Sequence, residues 1–193
     1  MPRTKQFNEE EVLKKAMELF WEKGFHATSI QDLVSNLGIN RASLYDTFGG
    51  KEALFNRAFQ EYRNSSGDAV KGILAGETSV RKGFHKLFGY AIEEAIQDDA
   101  RKGCFVVNTA TELIPNDGTM QATLQDHMDN MEELFTGHIQ KGIDNGEIDA
   151  SKNAKDIGML LFTLYSGFRV VSKIDTDAEK LHHLVKTTLS ILD

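Results

Sequence analysis

Apolar residues recur at helical spacing along almost the whole chain, and the alternation expected of strands is absent. Val12, Leu13, Ala16, Met17, Leu19 and Phe20 form a wide stripe. It begins after Asn8, carries Glu9, Glu10 and Glu11 where a helix dipole favours acids, and stops at Gly24. Ile30, Leu33, Val34 and Leu37 fall on one face of a second, shorter helix, for which Thr28 is the expected cap and Gln31 its capping-box partner. Gly38 supplies the left-handed position that ends it. Asn40 caps a third helix, whose Leu44 and Phe48 turn inward while Arg41, Ser43, Tyr45 and Thr47 point largely outward. Gly49-Gly50-Lys51-Glu52 then opens a fourth, running to about Arg63 on Leu54, Phe55, Ala58, Phe59 and Tyr62.

The polar, small stretch Asn64-Ser65-Ser66-Gly67 reads as a hinge or boundary between a domain over 1–63 and another over 64–193. Beyond it the pattern predicts helices near 68–75, 79–97, 104–114, 117–145, 152–173 and 177–192, broken at Gly76, Asp98-Asp99, Pro115-Asn116 and Asn145-Gly146. The 152–173 helix is apolar nearly all round, and such a helix has to be buried on more than one side. With the last helix, striped by Leu181, Leu184, Val185, Thr188 and Leu192, it looks like half of a bundle that a second copy of the chain completes. A fully internal core helix is the alternative. The expected fold is all-α, with about nine helices in total.

Net charge is −7, and its distribution matters more than its sum. Residues 1–63 hold nine Lys/Arg and nine Asp/Glu, so the whole excess of acid lies beyond them. The N-terminal part is less repelled by polyanions than the rest without being a basic module. Cys104 is the only cysteine, which excludes an internal disulfide and a cysteine-based zinc site. No apolar signal-peptide core follows MPRTKQF, and runs such as Met159–Phe162 are too short to span a bilayer, so a soluble, cytoplasmic protein without membrane contact is expected.

Two short helices joined by a Gly-containing turn form the helix-turn-helix pattern, whose second helix enters the DNA major groove. The wording of this block goes further. The first helix ends LFWEKGF, and then comes TSIQDLVSNLGINRASLYDTFGGKEALF. Over about residues 8–63 the chain resembles the TetR family of transcriptional regulators, through GFHATSI, LGINRASLY and F-x-x-KEALF. The patch GCFVVNTATEL at 103–113 is similar to a subgroup that carries Gly-Cys and a following Asn at a helix start.

The resemblance implies a DNA-binding domain followed by a helical effector-binding and dimerisation domain. It implies a homodimer, joined through helices about 152–173 and 177–192, on a palindromic double-stranded operator, and a repressor released by a small-molecule effector. Asn40, Arg41, Ala42 and Ser43 occupy the leading turn of the reading helix, where Arg41 can contact guanine in bidentate fashion. Tyr45, Thr28 and Lys51 match positions that contact phosphate, the last two at helix N-termini. Asp46 departs from the family pattern. An acid there is repelled by phosphate unless it accepts from a cytosine amino group or pairs with Arg41.

The effector candidates are Phe84, Phe88, Cys104, Asn108, Met128, Met131, Phe162, Tyr165 and Arg169. The aromatic and Met residues suit an adaptable apolar pocket as well as a plain core. Cys104, at a helix start beside Arg101 and Lys102, reads either as a sensor of oxidants or electrophiles or as a small buried hydrophobe. Asn108 can bond a ligand or local backbone. Arg169, in a strongly apolar helix, needs a partner: an acid, a ligand carboxylate or the dimer mate. The six histidines make no metal set, Glu179-x-x-His182 lacks the second copy a di-iron bundle needs, and no catalytic constellation or cofactor motif is present. An all-helical enzyme or carrier is the runner-up; the polar face of residues 40–47 beside Lys51 speaks against it.

Overall fold

A computed structural model of the chain describes residues 7–114 and 118–193. Among the described residues there are nine α-helices and no strand: α1 Glu9–Lys23, α2 Ile30–Leu37, α3 Arg41–Phe48, α4 Lys51–Ala75, α5 Val80–Gln97, α6 Phe105–Leu113, α7 Gly118–Asp144, α8 Ala154–Ile174 and α9 Ala178–Leu189. The fold is all-α, as the periodicity predicts. The break expected at Pro115-Asn116 lies outside the described residues.

By its internal contacts the chain divides into two units, one ending at Asn64 and one spanning Ser65–Asp193. In the first, α1 begins as the sequence requires, with the Asn8 carboxamide oxygen accepting from Glu10 N at 2.9 Å and Gly24 closing the helix. Its core is aromatic. The Phe55 ring meets Phe20 edge-on at 5.1 Å and Phe25 at 4.9 Å, and it stacks on Phe59 at 5.8 Å. Phe25 packs where the chain turns towards α2.

The helix end expected near Arg63 is corrected, although the two units divide at Asn64. One helix of 25 residues, α4, runs from Lys51 to Ala75 through the small polar residues 64–67. Ser and Gly lower helix propensity by at most about 1 kcal/mol each, which burial of Val70 and Leu74 one turn further on readily outweighs.

In the second unit, Phe84, Leu87, Phe88, Met131, Phe135, Ile139, Leu161, Phe168, Leu181 and Val185 share one core drawn from α5, α7, α8 and α9. Close approach of α7 and α8 is fixed at Gly158, where a Cβ would stand 2.5 Å from Thr136 Oγ1 and 2.7 Å from Thr136 N. The α7–α8 turn is tied back by Glu147. Its carboxylate accepts from Ser79 Oγ at 2.6 Å, Val80 N at 2.8 Å and Arg81 N at 2.9 Å, so it serves the free amides at the start of α5. Arg81 Nη2 donates in turn to Leu192 O at 2.6 Å, securing the end of the chain.

Helix α8 is buried on one side only within the chain, so the alternative of a fully internal core helix does not hold. Ala154, Ile157, Gly158, Leu161 and Phe168 face the core, whereas Met159, Leu160, Leu164, Val170, Val171 and Ile174 are exposed, the last at 76%. Helix α8 is long and apolar enough to cross a membrane by length and composition alone, a property the core helix of a soluble protein shares. Its packing against α5 and α7 shows how the chain uses its inner face.

Candidate nucleic-acid interface

Helices α2 and α3 are set by their ends. Ser29, not Thr28, caps α2: its Oγ accepts from Asp32 N at 3.0 Å, and the Asp32 carboxylate accepts from Ser29 N at 2.9 Å. Bonds from the Ser29 hydroxyl and Lys23 hold the Asp32 carboxyl well below the usual carboxylate range. Thr28-x-x-Gln31 and Ser29-x-x-Asp32 compete one residue apart in the sequence. The carboxylate wins because it is the stronger acceptor, and it completes an ion pair with Lys23 at 2.9 Å. Thr28 is fully buried, with its hydroxyl donating to Gly24 O at 2.6 Å. That bond commits the Thr28 hydroxyl proton within the protein.

Gly38, at φ 68° and ψ 25°, turns the chain from α2 into α3 in a conformation that a Cβ disfavours. The Asn40 side chain caps α3 by accepting from Ser43 N at 2.8 Å. Leu44 and Phe48 are buried and fix the rotation of α3. Arg41, Ala42, Tyr45 and Asp46 consequently form an exposed stripe, with Ser43 and Thr47 half-buried at its edge. The Arg41 guanidinium lies over the Tyr45 ring, 5.7 Å from its centroid. Gly50 approaches the same ring, and a Cβ there would stand 3.3 Å from Tyr45 Cε1. Tyr45 thus has Arg41 over its ring and Gly50 close to its edge atoms. Lys51 begins α4 with its ammonium 4.4 Å from the Phe25 centroid, fixing a cation at a helix N-terminus where anions are favoured.

The effector candidates separate into three environments. Phe84, Phe88 and Met131 lie in the packed core, and Phe162 and Tyr165 pack against it. Tyr165 meets Phe88 edge-on at 5.5 Å, and burial pushes its phenol up to about 12. Met128 stands apart, 39% exposed on α7.

A polar group spans α5, α6 and α8. Arg169, only 11% exposed along its side chain, pairs with the Glu94 carboxylate, so of the partners left open by the sequence the structure supplies an acid. The guanidinium is held protonated against the cost of its burial by Tyr165, Glu94 and Cys104 nearby. Asn108 bonds within the protein: Nδ2 donates to Lys102 O at 2.8 Å, and Oδ1 accepts from Lys173 Nζ at 3.1 Å. Cys104 is half-buried at the N-cap of α6 and gives no side-chain cap. Arg101, expected beside it, is spent elsewhere. At φ 52° it turns its guanidinium to Lys173 O and Ile174 O, closing the end of α8.

Glu94 and Lys173 were not among the sequence candidates, because nothing in the local pattern marks a contact between residues some seventy apart. Ser29 and Asp32 were legible as a second S/T-x-x-D/E signal. Among the described residues no three His, Cys, Asp or Glu side chains gather as a metal site.

Comparison with known proteins bears on both halves of the chain. The family described as "Bacterial regulatory proteins, tetR family" matches residues 12–58, and "Tetracyclin repressor-like, C-terminal domain" matches residues 83–188. The chain is 32% identical to the uncharacterised helix-turn-helix transcriptional regulator YezE of Bacillus subtilis, over 100% of both chains. It is 28% identical to the Escherichia coli transcriptional repressor ComR, over 98% of this chain and 90% of that one. Among solved structures, a cysteine mutant of the regulator CifR, complexed with 26-bp double-strand operator DNA, superposes with a TM-score of 0.89 at 26% identity, covering 99% of this chain and 100% of that chain.

Proposed function

The chain belongs to the TetR family of bacterial regulatory proteins, and from that premise we propose that it is a homodimeric repressor of a near-palindromic operator, released by a small effector. The observation that carries DNA binding is the outward stripe of α3, Arg41, Ala42, Tyr45 and Asp46, presented by a rigid capped helix beside the cation of Lys51. Two such helices in a dimer reach successive major grooves when about 34–36 Å apart. Arg41 reads guanine, Tyr45 and Lys51 hold phosphate, and Ser29 stands at the N-terminus of α2, where the resemblance had placed Thr28.

The dimer is supported by the outer face of α8. Leu160, Leu164, Gly167, Val171 and Ile174 repeat at alternating steps of four and three and are all exposed. Gly167 has open space before it, which allows a second helix to approach closely. An effector that binds better to a dimer with wrongly spaced reading helices shifts the population off DNA.

A gel shift with duplexes from upstream of the protein's own gene tests this reading. Specific retention is expected. Replacing Tyr45 and Lys51 by Ala should weaken binding to all sequences and reduce the salt slope by about one for the lost lysine–phosphate contact. Unchanged affinity and salt dependence would overturn the docking.

A second reading concerns the effector. The buried guanidinium of Arg169 lies near Cys104, and a cysteine beside a cation suits an electrophile or oxidant as the releasing signal.

A further inference from the structure

Asp46 shares the exposed stripe of α3 with Arg41, Ala42 and Tyr45. Its charge could be neutralised within the protein by an ion pair with Arg41, five residues back. That pair is not made. The Arg41 guanidinium lies over the Tyr45 ring instead, and among the described residues no hydrogen bond or ion pair reaches the Asp46 carboxylate.

A bare carboxylate on this stripe opposes DNA wherever it meets phosphate, since phosphate neutralisation is the source of sequence-independent affinity. It becomes favourable only opposite a hydrogen-bond donor. The major-groove edges of the bases offer two, the N4 amino group of cytosine and the N6 amino group of adenine. Adenine sets its amino group beside the N7 acceptor, which an acceptor-only carboxylate meets unfavourably. Cytosine has no acceptor on its own major-groove edge. Arg41 is the complement: a donor-only fork suited to O6 and N7 of guanine. Five residues of helix rise separate the two by about 7.5 Å. That is roughly two base-pair steps of 3.4 Å, so the side chains address different base pairs.

Resting on the reading of α3 as the operator-recognition helix, we infer that Asp46 determines specificity by accepting a hydrogen bond from the N4 amino group of cytosine, so that each operator half-site requires a C·G pair there. The same carboxylate disfavours non-cognate DNA. The Arg41–Tyr45 stack is part of the device, because it keeps the guanidinium from neutralising Asp46.

The test is selection from a random-sequence duplex pool with the full-length protein, in wild-type form and as Asp46→Ala and Asp46→Asn. Asp46 is exposed and, among the described residues, bonded to nothing, so both variants keep the fold, which their helical circular dichroism checks. The wild type should enrich a near-palindrome with cytosine at one symmetric position in each half-site. Replacing that C·G pair should weaken binding by about tenfold to a hundredfold. Asp46→Ala should lose the preference at that position alone. Asp46→Asn should shift it towards adenine, whose N6 and N7 an amide matches. If Asp46→Ala keeps every base preference and merely binds all duplexes more tightly, Asp46 acts through bulk repulsion and the inference is wrong. A wild type that enriches no palindrome would instead sink the operator-binding reading itself.

Discussion

Gly83 of α5 makes room for the imidazole of His138 on α7: a Cβ at Gly83 would stand 2.8 Å from His138 Nε2. His138 is buried, its ring meets Phe84 edge-on at 5.5 Å, and among the described residues its Nε2 has no hydrogen-bond partner. Gly83→Ala should therefore destabilise the protein by about 1–3 kcal/mol through overpacking, against a helix-propensity gain of at most about 1 kcal/mol. A thermal melt should show a loss of a few degrees. In a His138→Ala background the same substitution should cost nothing or stabilise; an equal penalty in both backgrounds would disprove the contact.

The same histidine sets an acid limit. Burial pushes its imidazole below the ordinary value of 6.5, with Lys141 adding to the shift and Glu147 opposing it. The unfolded chain then takes up the proton first. Stability is complete above about pH 6.5 and is lost as the pH falls through the folded-state value. Urea midpoints should decline over that interval, and in His138→Leu the decline should flatten. A variant with the same slope as wild type would assign the titration to another group.

Glu147 is expected to be the costliest single carboxylate to remove from the second unit. Burial raises its pKa, but the bonds from Ser79 Oγ, Arg81 N and Val80 N outweigh that and leave it lowered. Its stabilisation is present above the ordinary value of about 4.5 and is lost as the pH falls below it. Glu147→Ala should cost about 2–3 kcal/mol, since the start of α5 loses charge-assisted acceptors, and Glu147→Gln somewhat less. A loss under about 0.5 kcal/mol for Glu147→Ala, the level of an ordinary surface change, would show that water replaces the carboxylate.

For the releasing signal, Cys104→Ser should bind operator DNA as wild type does but should no longer let go after treatment with iodoacetamide or hydrogen peroxide. Continued release would eliminate Cys104 as the sensor. Arg169→Met should slow alkylation of Cys104 by about tenfold if the neighbouring guanidinium supports its reactivity; an unchanged rate would place the reactivity elsewhere.

Much of the first unit was legible because its determinants are local. Gly38, Asn40 and the Leu44/Phe48 spacing fix α3 within a dozen residues, and the stripe follows from which positions are buried. The error at Thr28 arose where two capping signals overlap by one residue, and a contact outside the motif, Lys23 with Asp32, favours the second. The helix end expected near Arg63 was missed because local propensity was weighed without the apolar residues beyond it. In the second unit, periodicity located α5 to α9 but could not pair them. Arg169 was recognised as needing a partner, yet Glu94 lies a whole domain segment away along the chain. Likewise nothing local says that Asn108 is spoken for by Lys173, or that Arg101 turns back to close α8.

The outward row of α8 has a last consequence, in mass action. Under the proposed dimer, Leu160, Leu164, Val171 and Ile174 leave water only when two chains meet, so part of the folding free energy belongs to association. The melting temperature should then fall on dilution, and a charged replacement such as Leu164→Glu should make it lower and nearly independent of concentration. For such a protein, the cellular level of the chain would itself be a determinant of how much of it is folded and able to act.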